Sequence, residues 1–340
     1  DISALFANCN RGKESLRIDL KSEAGVRVIK EMIPSVDVVI HNFRPGVMDK
    51  LGLGSETLRG INSKLIYTAI SGFGTEGPMS SAPAYDPIIQ AHAGVAATQG
   101  KGDEPAFMRT LLCDKITGYT ACQAVTSALF LRERTGVGQH IDLSMIDSGL
   151  FFIFLDGFQN HTLLSDDHER GGMLIDILYD PWVCSDGGVI ISAGSYEMQK
   201  RFLTSIDMQH LLEDERFATF ENQMRNIHVL KGLVSERCAE LGCDDMVGRL
   251  REVDVPCAKV MTRDEVLAQE QLSANGTVDI YDHPIAGSSR RILAPPLFGG
   301  ERLEPGSGAP THGQHTREVL ESFGMSDTDI QKLSAEGVVA

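Results

Sequence analysis

The 340-residue chain is acidic, with a formal net charge of −16 from 47 acidic and 31 basic residues. A charge of this sign and size argues against nucleic acid and anionic membranes as general partners. The hydrophobic content of 42% is that of an ordinary globular protein, and no apolar run approaches the ~18 residues of a membrane-spanning helix.

The first feature in chain order is a basic stretch at residues 8–30, which runs against the overall charge. Six basic side chains face three acidic ones there, a local balance of +3. Two interpretations stay open. The stretch is either a solvated face, as most charge clusters are, or a phosphate site, because an anionic ligand needs local cations on so acidic a protein.

The next elements predict a parallel sheet. Residues 22–33 have the apolar spacing of an amphipathic helix with Ser22 as its cap, and residues 37–41 read as a short buried strand. A helix followed by a strand at this distance indicates a βαβ crossover. The turn at 42–46 then lies at the carboxyl end of a strand, where ligands bind in open α/β sheets, although it is also an ordinary Pro-Gly turn.

A second strand is predicted at 65–70, followed by a glycine-rich loop at 71–78. No G-x-G-x-x-G sequence opens a helix, so the dinucleotide-binding fingerprint is absent. A further helix begins near Tyr85.

Residues 115–133 have the pattern of a long helix that is apolar over a wide arc, with a stripe of alanines on one side. Gly136 is placed to end it, and a strand follows at 140–144. Asp114 precedes the helix. It is either the N-cap, where its side chain satisfies free backbone N–H groups, or a nucleophile or base in a mostly dry cleft; as a first-turn carboxylate it would be held by N–H groups and kept ionised.

The second half of the chain predicts another domain of mixed α and β structure. A buried helix at 149–158 and a polar linker at 164–172 come first, followed by a hairpin around Asp186-Gly187. The remaining predicted elements are helices at 197–206, 223–241, 243–252 and 264–271, a strand at 254–260, an extended tail at 295–313 and a helix at 328–335.

The seven cysteines are odd in number and scattered, which is typical of reduced thiols in a cytoplasmic protein. The closest pair, Cys238 and Cys243, has no second pair and no histidine to complete a zinc pattern. We therefore predict a cytoplasmic location and no metal.

The run Cys113-Asp-Lys-Ile-Thr-Gly118, followed by Ala128-Leu-Phe-Leu-Arg-Glu-Arg-Thr-Gly-Val-Gly-Gln139, resembles the central signature of the family III CoA-transferases. This superfamily includes the formyl-CoA and carnitine-CoA transferases and the α-methylacyl-CoA racemases. The resemblance covers nearly the whole chain and is strongest over 10–53 and 108–147. It implies that Asp114 is the nucleophile, which would settle the choice that the pattern leaves open.

The resemblance also implies the architecture: an α/β fold whose large domain holds a doubly wound, mostly parallel, Rossmann-like sheet. The large domain would comprise 1–165 and 281–340, and a smaller α+β domain 171–280, with a linker at 166–170. The subunit would be a ring in an interlocked homodimer. Family members carry a strand, a glycine turn and further CoA contacts upstream of the segment that begins here, so we expect that Asp1 is not the natural start.

Further segments carry the site assignments that the resemblance implies. Residues 10–21 resemble the N-x-x-K-x-S-x-x-x-D-L-K segment associated with the CoA nucleotide, although Glu14 stands where many members have Arg; residues 42–46 resemble N-F-x-P-G, whose Asn and Phe contact the adenosine. The implied CoA contacts are Asn10, Arg11, Lys13, Ile18, Lys21, Asn42, Phe43, Lys50 and Tyr85. The active-site loop candidates are Gly72, Gly74, Gly171 and Gly172, the last two forming a shorter glycine loop than that of the formyl-CoA transferases.

The implied function is transfer of CoA between an acyl-CoA thioester and an acceptor carboxylic acid, with CoA as substrate and no permanently bound cofactor. A racemase is the alternative, and it needs an acid and a base on opposite faces of the α-carbon. The family's second base is a His where this chain has Tyr85, whose ordinary pKa of about 10 makes it a poor partner. A non-catalytic CoA-binding dimer is the second alternative.

Overall fold

The computed structural model describes residues 2–100, 104–165, 167, 179–303 and 306–340. The chain divides into two compact units. The first unit combines Asp1–Ser165 with Asp279–Ala340, and the second is Asp166–Val278. The first unit is therefore built from two separate stretches of the sequence.

The described residues form helices and strands in both units. The helices are α1 (Ala4–Cys9), α2 (Glu23–Met32), α3 (Val47–Lys50), α4 (Ser55–Ile61), α5 (Asp86–His92), α6 (Val95–Gln99), α7 (Leu112–Thr135), α8 (Met145–Gly157), α9 (Gln159–Thr162), α10 (Tyr196–Ser205), α11 (Phe220–Arg225), α12 (Ile227–Cys238), α13 (Cys243–Glu252), α14 (Arg263–Ala268), α15 (Glu270–Ala274), α16 (Thr316–Ser322) and α17 (Asp327–Ala335). The strands are β1 (Val38–His41), β2 (Ile66–Ser71), β3 (His140–Ser144), β4 (Trp182–Cys184), β5 (Gly187–Ile191), β6 (Cys257–Lys259), β7 (Val278–His283), β8 (Gly287–Ile292), β9 (Leu297–Phe298) and β10 (Glu301–Arg302).

The centre of the first unit is a parallel sheet in the order β1-β2-β3, which confirms the predicted α/β fold with a parallel sheet. Tyr67 on β2 pairs with His140 on β3, so side chains at alternate positions of the two strands share one face. The strand order shows no reversal among these three strands. The doubly wound form stays a prediction.

Helix α2 forms where the sequence predicts it, with the Ser22 hydroxyl accepting the Gly25 N–H at 3.0 Å. Its Val28 joins a core cluster with Leu320, Ile330 and Leu333 from the C-terminal stretch. The end of the chain thus completes a core that begins near residue 28.

Helix α7 ends at the predicted position but begins earlier. Gly136 has a φ of 74° and donates its N–H to Arg132 at 2.7 Å, so it ends the helix in the left-handed conformation. The residue before the first turn is Leu111, which offers no capping side chain. The interpretation of Asp114 as the N-cap is therefore wrong, because Asp114 is the third residue inside the helix.

Helix α8 is confirmed, but its predicted burial is wrong for the single chain. Its packed side includes Ile153, Ser148 and Gly149. On the other side five apolar residues are 39–77% exposed, and we call them the α8 face: Leu150, Phe151, Phe152, Phe154 and Leu155. Among the described parts of the chain, no helix combines the length and the apolar character that crossing a bilayer requires.

The second unit contains the predicted hairpin as β4 and β5, and β6 extends it to a three-stranded antiparallel sheet. The helix predicted at 223–241 is two helices, because the backbone leaves the helical conformation at Asn226. The Asn226 side chain donates instead to the carbonyl oxygens of Arg216 and Asn222, at 3.2 and 2.9 Å. This local hydrogen bonding competes with helix continuation.

The tail predicted as extended contains the short β9–β10 hairpin, and the β7–β8 hairpin before it was not predicted. Buried His283 at the end of β7 holds the tail in place. Its Nδ1 accepts the N–H groups of Ile285 and Ala286, and its Nε2 lies 3.0 Å from the carbonyl oxygen of Ala309. The imidazole therefore carries its proton on Nε2.

We expect Gly138→Ala to destabilise the first unit strongly. A Cβ at Gly138 would lie 2.1 Å from the carbonyl oxygen of Leu65, a backbone atom that can move only if the start of the β2–β3 pairing moves. The expected loss in the free energy of unfolding is about 3 kcal/mol. Urea denaturation followed by far-UV circular dichroism measures it.

Gly60→Ala is the matched control, since a Cβ there meets nothing within 4 Å and the residue lies within helix α4. Its free energy of unfolding should equal that of the wild type or exceed it by up to about 1 kcal/mol. Fluorescence of Trp182, the one tryptophan, reports on the second unit separately. Equal stability of the two variants would contradict the close approach at Gly138.

Candidate active site

A cavity of about 330 Å³ lies over one face of the parallel sheet and reaches the carboxyl ends of β1 and β2. Its wall includes His41 from the end of β1, Tyr67 from β2 and His140 from β3, together with Phe43 from the turn after β1. The carboxyl edge of a parallel sheet is where α/β proteins bind ligands.

Aromatic rings form one wall of this cavity. The Tyr67 ring packs edge-on against both His41 and His140, with centroids 5.3 Å apart in each case, and Phe43 stacks at 6.0 Å from His41. The Tyr67 hydroxyl donates to the Leu53 carbonyl oxygen at 3.2 Å, which fixes the ring. The Phe43 N–H donates to His41 Nδ1 at 3.3 Å.

Charge in the cavity comes from carboxylates rather than from cations. Asp49 and Asp142 line it, and no lysine or arginine is among the described residues of its wall. Burial, followed by the neighbouring His140, lowers the pKa of His41. Burial, followed by the charges of Asp49 and Asp142, raises the pKa of Tyr67 to about 12. The wall suits an uncharged aromatic ring better than a phosphate.

Asp114 lies in the first turn of α7 with its side chain at the surface of the chain. Within the described residues, its carboxylate accepts no hydrogen bond, whereas its backbone N–H donates to Asp86 Oδ2 at 3.0 Å. Partial burial and then the charge of Asp86 raise the pKa of Asp114, while Lys115 lowers it. The expectation that backbone N–H groups hold this carboxylate is therefore wrong, and its pKa is raised rather than lowered.

The loop after β2 connects the cavity to the start of α7. Ser71 lines the cavity, and a Cβ on the next residue, Gly72, would lie 2.2 Å from the Ala84 Cβ. Ala84 packs on the apolar cluster that contains Cys113, whose burial raises its pKa to about 11. Contiguous packing thus links the residue after Ser71 to the cluster that contains Cys113, the neighbour of Asp114.

The other residues assigned from the sequence lie at several separate places. Phe43 lines the cavity and is 46% exposed, with Asn42 exposed beside it. Lys50 is exposed in α3, and Tyr85, 77% exposed, immediately precedes α5. Gly74 has a φ of 93°, and its N–H donates to the Ser71 hydroxyl at 3.0 Å. Gly171 and Gly172 lie outside the described residues.

Several polar side chains of the 10–21 segment already have partners within the chain. Arg11 donates to the Ile292 carbonyl oxygen at 2.7 Å, and Lys13 donates to Asn10 Oδ1 at 3.0 Å. Ile18 pairs with Val339, and the Lys21 N–H donates to its neighbour Asp19. Contact of this segment with a nucleotide stays a prediction.

The same segment is tied to the C-terminal stretch. The Ser15 N–H donates to His315 Nδ1, and the Arg17 N–H donates to the Thr316 hydroxyl, both at 3.1 Å. His315 and Thr316 thereby fix the backbone of residues 15–17.

Sequence reasoning missed His41, Tyr67, His140 and Asp142 as a cluster. The signal was present, because these residues lie on the predicted parallel strands, and alternate residues of a strand share one face. It also missed Asp86, whose partner Asp114 is distant in sequence.

The first unit is an α/β fold with a parallel sheet and a cavity over one face of that sheet. Residues 1–316 match the family described as CoA-transferase family III. The acetyl-CoA:oxalate CoA-transferase of Acetobacter aceti is 32% identical, over 84% of this chain and 76% of its own length. The succinyl-CoA:glutarate CoA-transferase of Mus musculus is 27% identical, over 99% and 78%.

Among solved structures, a CAIB/BAIF family protein from Brucella suis superposes with a TM-score of 0.82 at 31% identity, covering 94% of this chain and 84% of that one. The chain belongs to CoA-transferase family III and is an enzyme of that type.

Proposed function

We propose that this enzyme moves CoA from an acyl-CoA thioester to an acceptor carboxylic acid, with the Asp114 carboxylate as nucleophile. One observation carries the proposal: a surface-facing carboxylate with a raised pKa lies in the first turn of α7, inside the signature run. A carboxylate of raised pKa is a stronger nucleophile, because basicity and nucleophilicity rise together.

The reaction needs no oxidant and no net proton. The Asp114 carboxylate attacks the thioester carbonyl, the carbon–sulfur bond breaks, and CoA thiolate leaves behind a mixed anhydride. The thiolate then attacks the aspartyl carbonyl, which releases the donor acid and leaves an aspartyl-CoA thioester. The acceptor carboxylate attacks that thioester, and the freed thiolate attacks the acceptor's carbonyl, which restores Asp114.

The cavity is the proposed site of the adenosine end of CoA. Its rings offer stacking surfaces, whereas Asp49 and Asp142 repel phosphates from its interior. The phosphates would therefore lie outside, toward exposed cations such as Lys50 and the basic segment 10–21.

Dicarboxylates are the proposed acceptor class. The names of the two relatives above specify oxalate and glutarate, each with two carboxylates. Acetyl-CoA and succinyl-CoA are the corresponding donors in those names.

A homodimer is also proposed, as the resemblance predicts, in the form of interlocked rings. The α8 face supports it, since five adjoining apolar side chains exposed on one helix form a larger apolar surface than scattered single residues would. A second copy presents the same apolar surface, which makes the contact self-complementary. The seven cysteines, all without disulfides, support a cytoplasmic location.

Mass spectrometry after incubation with succinyl-CoA or acetyl-CoA tests the proposed function. We expect the peptide that contains Asp114 to gain the mass of CoA through a thioester, and oxalate or glutarate to discharge it. Exchange of the α-proton without any enzyme-bound CoA would instead identify a racemase. Binding of CoA with neither reaction would identify a non-catalytic protein.

A further inference from the structure

Asp86 is a buried carboxylate whose position depends on the start of α7. It is 2% exposed at the first residue of α5. Its Oδ1 accepts from Gln90 Nε2 at 2.5 Å, and its Oδ2 accepts the Asp114 N–H at 3.0 Å. Among the described residues, these are its hydrogen-bond partners, and no cation forms an ion pair with it. A buried charge without a cation is costly, so this arrangement needs a reason.

Gln90 extends the same network to the segment before α7. It is 1% exposed, its Oε1 accepts the Met108 N–H at 3.0 Å, and its Nε2 lies 3.1 Å from the carbonyl oxygens of Met108 and Thr110. Residues 108–110 are thereby held against α5. The path of the chain into the first turn of α7 is set by these bonds.

The first turn of a helix has N–H groups without partners inside the helix. In α7 the preceding Leu111 offers no side-chain acceptor, and Asp86 supplies one from another helix. The bond is made to the backbone of the same residue whose side chain is the proposed nucleophile. A shift or rotation of this turn would move the Asp114 carboxylate directly.

We infer that Asp86 is a positioning residue for Asp114. It fixes the first turn of α7 by accepting the Asp114 N–H, and its negative charge acts on the Asp114 carboxylate. This inference rests on the proposed function. Asp86 does not touch the substrate in this role, and it acts only through Asp114.

The charged groups around Asp114 give this role a measurable consequence. Asp86 on α5 raises the pKa of Asp114 and Lys115 on α7 lowers it, while Cys113 is a neutral thiol because its pKa is about 11. On α8, the Asp147 carboxylate accepts from the Ser144 hydroxyl, and Arg109 lies just before α7. Removing the Asp86 charge leaves Asp114 easier to ionise.

Asp86→Asn tests both the positioning of the first turn of α7 and the effect of the Asp86 charge on Asp114. The Asn oxygen can still accept the Asp114 N–H, but its NH₂ group would face the Gln90 NH₂ group, so the network opens. We expect kcat at its plateau to fall about 10- to 100-fold, as a misplaced nucleophile does. In the pH profile of kcat, the acid limb is the range in which kcat falls because Asp114 becomes protonated. This limb should move to lower pH. A purely structural residue would not move that limb.

Gln90→Met is the second variant, since it breaks the clamp on residues 108–110 but leaves the Asp86 charge in place. Its kcat should fall while its acid limb does not move to lower pH. Asp186→Asn is the matched control. Asp186 Oδ1 accepts the Cys243 N–H at 2.7 Å at the start of α13, so it caps a helix in the second unit in the same way. That variant should lose stability and keep the wild-type pH profile.

The wild type itself provides a measurement that does not depend on any variant folding. A ¹³C titration of the Asp114 carboxyl should give a pKa above the usual aspartate range, and an ordinary or lower value would overturn the inference. An unchanged kcat and acid limb in folded Asp86→Asn would overturn it as well. If wild-type Asp114 never carries CoA, the proposed function fails instead, and the two failures are thus distinguishable.

Discussion

Asp114→Asn is expected to abolish acyl transfer, with kcat lowered at least about 10³-fold, while the protein stays folded. An amide can neither attack a thioester nor form an aspartyl-CoA thioester, so each covalent step is lost. The mass gain on the peptide that contains Asp114 should disappear as well. Steady-state transfer assays and intact-protein mass spectrometry measure the two effects.

Stability should change little in this variant. Among the described residues the Asp114 carboxylate accepts no hydrogen bond, and the Asp86 contact uses the backbone N–H, which Asn keeps. The raised pKa of Asp114 means that ionisation is harder in the folded than in the unfolded chain. This carboxyl therefore favours folding at low pH and loses that benefit as pH rises through its folded pKa. The free energy of unfolding of the Asn variant should thus rise slightly relative to that of the wild type as pH increases.

Asp244→Asn is the matched control, because Asp244 is an exposed acid in the first turn of α13 in the second unit. It should keep full transfer activity. Transfer retained in folded Asp114→Asn, after deamidation is excluded by mass, would refute the nucleophile.

Phe151→Glu combined with Leu155→Glu is expected to convert a dimer into monomers. The two residues are 74% and 77% exposed and lie one helical turn apart on the α8 face. Buried in an interface, two unpaired carboxylates would raise the dissociation constant by about 10²- to 10³-fold. Light scattering at micromolar concentration should change from twice the 37.0 kDa chain mass to that of one chain.

The control exchanges the same two residues, Phe151→Leu with Leu155→Phe, and keeps the apolar surface. It should remain dimeric. A monomeric wild type would contradict the homodimer, whereas a Glu variant that dimerises as tightly as the wild type would exclude the α8 face from the interface.

Local patterns were enough to predict much of this fold. The Ser22 cap, the Gly136 stop and the strand at 37–41 each depend on residues within one turn or one strand, and each is confirmed. The start of α7 was misplaced because its cap is Asp86, which is 28 residues away in sequence. A pattern confined to neighbouring residues has no access to such a partner.

In the candidate site, too, features set by neighbouring residues were predicted, whereas features set by residues distant in sequence were missed. The resemblance assigned the role of nucleophile to Asp114 from a run of contiguous residues. The aromatic wall was missed, because only the register of β1, β2 and β3 brings His41 and His140 to the same cavity. The direction of the Asp114 pKa was also missed, since it depends on burial and on a charge from another helix.

The first unit is discontinuous in sequence, and this determines the order in which the two units can fold during synthesis. The ribosome delivers residues 166–278 before residues 279–340, so the second unit, whose core lies within 184–255, has its complete sequence first. The cluster around Val28 cannot form until Leu320, Ile330 and Leu333 have been synthesised. During that interval the side of α2 that carries Val28 lacks these partners, so this cluster is completed only after the second unit has its whole sequence.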